Sequence, residues 1–300
     1  MTTFSHPDEV VAIHNRILEA SPAQGRVRSV GHWQRIHVIE AGEGQPLVLL
    51  HGGGTSALQM LPLIERLNGV RAIAPDRPGF GLSERAAGPN VELRERAIEF
   101  VDTLLDALDL DQVSLAGNSM GGVWALWYAL TRPDRIRRLV LVGSAPLLPG
   151  TSAPLPLRIM TTPLVGELIG RLPANRNMVV RIMGLFGEDE TIVNYPEQVK
   201  ALVAAGNDPV ASRVDLHETR ALLTPFGLRR ALRFEAEELA QLTLPTLVIW
   251  GERDPVGGIG AAKTVTQAFP DAELELLNTG HMPWLAAPDR TAELVTSFVR

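Results

Sequence analysis

The 300-residue sequence contains no cysteine, which excludes disulfide bonds, thiolate nucleophiles and cysteine-ligated metal or iron–sulfur sites. Lysine is almost absent, since Lys200 and Lys263 are the only two among 28 basic residues, and the net charge is −6. A mildly acidic chain with scattered arginines does not fit nucleic-acid binding. No apolar run reaches the roughly 20 residues that span a bilayer, and the N-terminus lacks the basic start of a secretory signal. We therefore expect a cytoplasmic protein without a membrane span.

The composition is that of a folded globular protein, with 45% hydrophobic and 21% charged residues. Short apolar segments that end in loop residues predict seven β-strands, at residues 35–39, 46–50, 70–74, 113–116, 139–142, 246–250 and 273–277. They lack clean alternation, as expected of strands buried on both faces of a parallel sheet. Helical patterns lie between them, so the sequence predicts an α/β fold, a doubly wound and mostly parallel sheet with helices on both faces.

The long stretch between two of the predicted core strands indicates an insertion. Residues 145–243 are rich in proline and carry apolar residues at helical spacing, far beyond the usual connection of two to about six residues plus a helix. We interpret 1–144 and 244–300 as the core, 1–20 as an N-terminal helical extension of it, and 145–243 as a helical cap; a structural domain without a ligand role is the alternative. Apolar cap residues predict an apolar pocket: Met160, Leu164, Met178, Ile182, Met183, Leu185 and Phe186.

Gly117-Asn118-Ser119-Met120-Gly121 has the G-x-S-x-G pattern of a nucleophile elbow. A serine on a sharp strand-to-helix turn has strained backbone angles, and side chains two positions before and after it would collide. The predicted strand before this motif and the apolar helical pattern after it fit that turn. Ser119 is therefore the predicted nucleophile.

A serine hydroxyl needs a base, and the base needs an acid that fixes its tautomer. Asp254 and His281 each follow a predicted strand, in the chain order serine, acid, histidine that this elbow uses. Glu252 is a rival for the acid. Ser144 occupies the strand end where some hydrolases keep the acid, which favours Asp254. The predicted catalytic residues are Ser119, Asp254 and His281.

The tetrahedral intermediate needs preorganised amide donors. Met120, directly after the serine, would supply one, and Gly53 in the His51-Gly52-Gly53-Gly54 loop the other, with Gly54 as the alternative. No lysine follows this glycine run, so a phosphate-binding P-loop is excluded. Gly54, Phe80 and Met282 are predicted substrate contacts, and no residue spacing indicates a metal site or a cofactor.

Together these motifs resemble the α/β-hydrolase superfamily over nearly the whole chain. The matching segments are HGGG at 51–54, DRPGFGLS at 76–83, GNSMGG at 117–122, GERD at 251–254 and GH at 280–281. The resemblance implies an eight-stranded, mostly parallel sheet with a cap above the active site. Its dehalogenase and epoxide-hydrolase branches use an aspartate nucleophile, which Ser119 does not match.

Three functions follow from this resemblance. HGGG with GNSMGG is similar to the hydrolases that cleave carbon–carbon bonds of ring-fission (meta-cleavage) products. The Thr55-Ser56 and Met282-Pro283-Trp284 segments depart from them and look more like the broader esterase group. We favour a serine carboxylesterase acting on small to medium apolar substrates, with C–C hydrolysis second and a non-catalytic ligand receptor third. A substrate carboxylate would need a cap arginine: Arg171, Arg176, Arg181 or Arg213. The sequence leaves undecided whether the protein forms a homodimer.

Overall fold

The computed structural model describes residues 6–84 and 92–300. Its β-strands are β1 (Gln24–Ser29), β2 (Arg35–Ala41), β3 (Gln45–Leu50), β4 (Val70–Pro75), β5 (Val113–Gly117), β6 (Ile136–Val142), β7 (Leu223–Thr224), β8 (Gly227–Leu228), β9 (Thr246–Gly251) and β10 (Ala272–Leu277). Its α-helices are α1 (Asp8–Glu19), α2 (Leu61–Ile64), α3 (Leu93–Ala107), α4 (Met120–Thr131), α5 (Leu155–Met160), α6 (Val165–Ile169), α7 (Arg176–Gly184), α8 (Asp189–Ile192), α9 (Pro196–Gly206), α10 (Pro209–Leu222), α11 (Ala236–Leu239), α12 (Ile259–Ala268), α13 (Pro283–Ala286) and α14 (Pro288–Val299).

Eight strands form one sheet in the order β1-β2-β4-β3-β5-β6-β9-β10. Strand β2 is antiparallel to both β1 and β4, and the neighbours from β4 to β10 are parallel. The predicted mostly parallel α/β sheet is therefore confirmed, and each of the seven predicted strands is present. Parallel order brings the loops after β3, β4, β5, β6, β9 and β10 to one edge of the sheet, where ligands bind in such folds.

Strand β1 is the strand of the eight-stranded sheet that the sequence prediction missed; the two-residue strands β7 and β8 of the separate hairpin were not predicted either. Its residues QGRVRS are exposed or partly exposed throughout, so the segment carries no apolar signal. It pairs with β2 at the edge of the sheet, where polar side chains are common because the strand covers little core.

Helices cover both faces of the sheet, as predicted. In β3, Val48 and Leu50 pack in the cluster that contains α3, α4 and α12. Leu47 and Leu49 point to the opposite face and pack with residues of α1, α2 and α14. The alternation of strand side chains therefore divides an uninterrupted apolar segment between two cores.

Residues 145–243, for which we keep the name cap as a label, hold α5 to α11 and the short β7–β8 hairpin, between β6 and β9. The extension helix α1 packs against cap helix α9, where Arg16 pairs with Glu197 at 2.6 Å. The leading helix thus contacts the inserted segment as well as the core. Within the described parts of the chain, no helix has the length and hydropathy needed to cross a membrane.

Candidate active site

Ser119 stands between β5 and α4 with φ 52° and ψ −119°, a backbone conformation that non-glycine residues rarely adopt. The flanking glycines make this turn feasible. A Cβ on Gly117 would lie 2.6 Å from the carbonyl carbon of Gly121, and one on Gly121 would lie 2.7 Å from the His51 carbonyl oxygen. The steric reason given for the two glycines in the motif is therefore confirmed.

Asp254 and His281 meet through a buried hydrogen bond, in which Nδ1 of His281 lies 2.9 Å from Oδ2 of Asp254. The Asp254 carboxylate also accepts the amide hydrogens of Ser144 (3.0 Å) and Val256 (2.9 Å). Burial raises the pKa of Asp254, but His281 and these donors outweigh it and hold the pKa below its ordinary value. The carboxylate is thus ionised at neutral pH and orients the imidazole.

The second nitrogen of the imidazole, Nε2, is not the one that Asp254 binds. Ser119 and His281 line the same cavity, and Nε2 of His281 is buried without a hydrogen-bond partner among the described residues. With Nδ1–H donated to Asp254, Nε2 carries the lone pair that a base needs. No hydrogen bond joins Nε2 to the serine hydroxyl in this structure, and catalytic hydrogen bonds of this kind commonly tighten when substrate binds.

Two further residues, to which the sequence analysis gave no role in the site, hold His281. The side-chain amide of Asn118 donates to the carbonyl oxygens of Val142 (2.7 Å) and His281 (3.1 Å). Ser144 Oγ lies 3.2 Å from Nδ1 of His281. Asn118 precedes the serine in the elbow, so one residue ties the serine's turn to the histidine's loop.

The cavity has a volume of about 330 Å³, within the range of small-molecule sites. Gly53, Gly54, Phe80, Met120 and Met282 all line it, so the predicted oxyanion donors and substrate contacts lie around the same space. Met120 is the first residue of α4, and its amide is one of those that a helix cannot pair internally. Asp254 sits behind His281 and does not line the cavity.

The cap wall of the cavity is apolar. Of the cap residues predicted to form the pocket, Met160, Met178, Ile182, Met183, Leu185 and Phe186 line it. Leu164 does not: it is 82% exposed and precedes α6 with φ 68°. That assignment was wrong because helical spacing cannot tell the inner from the outer face of a short, irregular helix.

Arg77 joins the glycine-rich loop to the cap. Its guanidinium donates to the carbonyl oxygens of His51 (3.2 Å) and Gly52 (3.0 Å) and to Glu218 of α10 (2.6 Å). Arg77 and Glu218 are fully buried. A buried pair of this kind fixes geometry, because neither charge can be left alone without a large cost.

Asp215, one helical turn before Glu218, is the acidic residue that lines the cavity. Its Oδ1 would lie 3.3 Å from a Cβ on Gly53, so the carboxyl stands beside the glycine-rich loop. Burial and the nearby Glu218 raise the pKa of Asp215 to about 6, against the opposing effects of Arg77 and the Gly54 amide.

Among the described residues that line the cavity, none is arginine or lysine. The four cap arginines named as carboxylate partners are all exposed: Arg171, Arg176, Arg181 and Arg213. Across residues 6–84 and 92–300, no group of three or more His, Asp or Glu side chains could hold a metal ion. The site thus combines a serine, a histidine–aspartate pair and apolar walls.

Known proteins match the chain in sequence and in fold. It is 32% identical to 2-hydroxymuconate semialdehyde hydrolase of Pseudomonas putida over 94% of this chain and 96% of that protein. A carboxylesterase from Bacillus subtilis superposes with a TM-score of 0.74 at 23% identity, covering 97% of this chain and 98% of the other. A meta-cleavage product hydrolase from Pseudomonas fluorescens superposes with a TM-score of 0.69 at 22% identity over 91% and 97%.

The alpha/beta hydrolase family model matches residues 47–294, a range that runs from β3 into α14 and includes the elbow, the inserted segment and the Asp254 and His281 loops. The sheet order, the serine turn and the sequence match agree. The chain belongs to the alpha/beta hydrolase family.

Proposed function

We propose that the protein is a serine hydrolase of small to medium, uncharged carboxylic esters with apolar groups. His281 Nε2 takes the proton of Ser119 as its oxygen attacks the ester carbonyl, and Asp254 stabilises the imidazolium. The amides of Gly53 and Met120 bind the oxyanion. His281 then protonates the departing alcohol, and a water that it deprotonates releases the acid from the acyl-enzyme.

The observation that carries this proposal is the charge of the cavity wall. Its described residues supply many apolar side chains and one carboxyl, Asp215, but no arginine or lysine. A substrate carboxylate buried there would lose its hydration without gaining a cation and would face Asp215. An uncharged ester loses little hydration free energy when it enters the cavity, so the wall favours neutral substrates.

Hydrolysis of C–C bonds in ring-fission products is the second candidate. It is favoured by the similarity to 2-hydroxymuconate semialdehyde hydrolase at 32% identity, and it would use the same serine, histidine and aspartate. Its substrates are dienoates, whose carboxylate needs a cationic partner. The exposed cap arginines do not offer one in this conformation, so we rank it below ester hydrolysis.

The test compares p-nitrophenyl butyrate with a coloured ring-fission dienoate, using the purified protein, S119A and S212A. Ser212 lines the same cavity, but its hydroxyl donates to the Gly206 carbonyl at 3.1 Å, which makes S212A a matched control. We expect ester turnover that S119A lowers by about 10³-fold or more and that S212A changes by less than about threefold. Dienoate turnover that exceeds ester turnover would favour the second candidate, and an unchanged rate in S119A would refute both.

A further inference from the structure

A segment of the cap holds the loop of His281 from the side opposite the core. Phe186, Gly187 and Glu188, which we call the strap, connect α7 to α8. The His281 amide donates to the Phe186 carbonyl at 2.9 Å, and the Met282 amide donates to Oε1 of Glu188 at 2.7 Å. The Phe186 ring stacks on the His281 imidazole, with centroids 5.2 Å apart and planes at 24°.

The strap fits against the loop without spare room. Gly187 has φ +75°, and a Cβ on it would lie 3.1 Å from the Arg253 carbonyl oxygen. A Cβ on Gly280 would lie 2.6 Å from Oε1 of Glu188 and 2.7 Å from the Phe186 carbonyl oxygen. Both contact points are glycine because the two backbones approach so closely.

Together with Asn118, the strap fixes both backbone polar groups of His281. The N–H of His281 donates to the Phe186 carbonyl of the cap, and the C=O of His281 accepts from the Asn118 side chain of the elbow. If the cap moves away, His281 loses the Phe186 hydrogen bond and its stacked ring, whereas its hydrogen bond to Asp254 comes from the core. The orientation of the base therefore depends on the position of the cap.

Glu188 also places a carboxyl beside the imidazole. It is fully buried, and burial raises its pKa to about 7, against hydrogen bonding by the Met282 amide and Thr191 and the attraction of His281 and Arg253. Burial raises the pKa of Tyr195, and the nearby Glu188 carboxylate adds to that rise. Near neutral pH this carboxyl therefore changes charge in the range where a serine–histidine site works.

We propose that the strap is a positioning element for His281 and that the Glu188 carboxylate is a second negative charge that stabilises the imidazolium formed during turnover. Asp254 acts on Nδ1 from the core, and Glu188 acts from the cap. The proposal rests on the proposed ester hydrolysis only for its kinetic readout. On this proposal, His281 is oriented for catalysis only while the cap is docked against the core.

The kinetic test uses Glu188→Gln, which keeps an oxygen that can accept the Met282 amide and removes only the charge. We expect kcat/KM on p-nitrophenyl butyrate to match that of the unaltered protein near about pH 6, where Glu188 is mostly protonated, and to fall about three- to tenfold below it at about pH 8.5. Glu190→Gln is the control, because Glu190 is an exposed carboxylate of the neighbouring helix. If the ratio of kcat/KM for E188Q to that of the unaltered protein does not change with pH, Glu188 has a structural role alone and the proposal is overturned.

A second measurement does not depend on turnover. In S119A, the imidazole NMR signals of His281 should move to a lower titration midpoint when E188Q is added, because an anion nearby favours the imidazolium. An unchanged midpoint overturns the proposal even if no ester is hydrolysed, so its failure is distinct from failure of the proposed function.

Discussion

Oδ2 of Asp254 lies 2.9 Å from Nδ1 of His281, and both side chains are buried. The two residues follow β9 and β10, which are adjacent and parallel, so the sheet itself sets the distance between their loops. The same carboxylate accepts the Ser144 amide from the end of β6. Three neighbouring strand ends thus hold one histidine, whose Nε2 has no hydrogen-bond partner among the described residues.

We predict that Asp254→Asn lowers kcat about 10³- to 10⁴-fold with little change in KM. The amide can donate to Nδ1, which favours the tautomer with the proton on Nε2 and removes the charge that stabilises the imidazolium. Ester kinetics measure the effect. Glu252→Gln is the matched control, since Glu252 is exposed two residues earlier, and it should remain within about threefold. Equal losses in the two variants would refute the assignment of the acid.

We predict that Gly121→Ala destabilises the fold by about 3 kcal/mol or more, or prevents folding. The added Cβ would overlap the carbonyl groups of Leu50 and His51, which are backbone atoms that cannot turn aside. Urea unfolding measures the loss. Gly260→Ala is the control, because a Cβ there meets nothing within 4 Å in helix α12, and its free energy of unfolding should be unchanged or slightly higher. Similar stabilities for the two variants would contradict the close packing at the elbow.

Breaking the core–cap ion pair by Glu218→Gln should cost about 3 to 5 kcal/mol of unfolding free energy, because Arg77 would keep a buried charge without its partner. The comparison variant is Glu238→Gln, which breaks the partly exposed Arg94–Glu238 pair and should cost less than about 1 kcal/mol. Chemical denaturation separates the two. A cost below about 1 kcal/mol for E218Q would show that this pair does not anchor the cap.

Asp215 should make the site discriminate against anionic esters in a pH-dependent way. Its pKa of about 6 means that it is ionised and repels a carboxylate above that pH, and becomes neutral as the pH falls through it. The matched substrates are mono-p-nitrophenyl glutarate and its methyl ester. We expect the anionic-to-neutral ratio of kcat/KM to rise about tenfold in Asp215→Asn at about pH 8, and by less at about pH 5.5.

The exposed cap residue Asp189 supplies the control for this charge effect. Asp189→Asn removes a cap carboxylate that does not line the cavity and should leave the substrate ratio unchanged. If D215N and D189N behave alike, the acidic wall of the cavity does not select substrates, and the preference for uncharged esters loses its main support.

The sequence alone predicted those parts of the fold that depend on local patterns. Apolar runs that end in loop residues located β3 to β6, β9 and β10, and the motif around Ser119 located the strained turn. Strand β1 was not predicted because this exposed edge strand has no apolar run. The same limit applied to Leu164, where helical spacing did not show which face points inward.

The residues around His281 show why the rest of the site was not predictable. Glu188 and Asp215 reach the site through docking of the cap onto the core, as does the stacking of Phe186 on His281. No short-range spacing encodes this docking. Ser144 was weighed for its position at a strand end, but its contacts with Asp254 and His281 follow from the pairing of β6 with β9. The roles of residues that act through tertiary contacts can be identified only from the structure.

Covalent labelling tests the central claim most directly. The purified protein is treated with an alkyl fluorophosphonate, and the modified residue is located by peptide mass spectrometry, with His281→Ala and S212A in parallel. We predict one adduct per chain on Ser119, retained in S212A and formed far more slowly in H281A. An adduct on another residue, or no adduct on Ser119 in a protein that hydrolyses esters, would contradict the account.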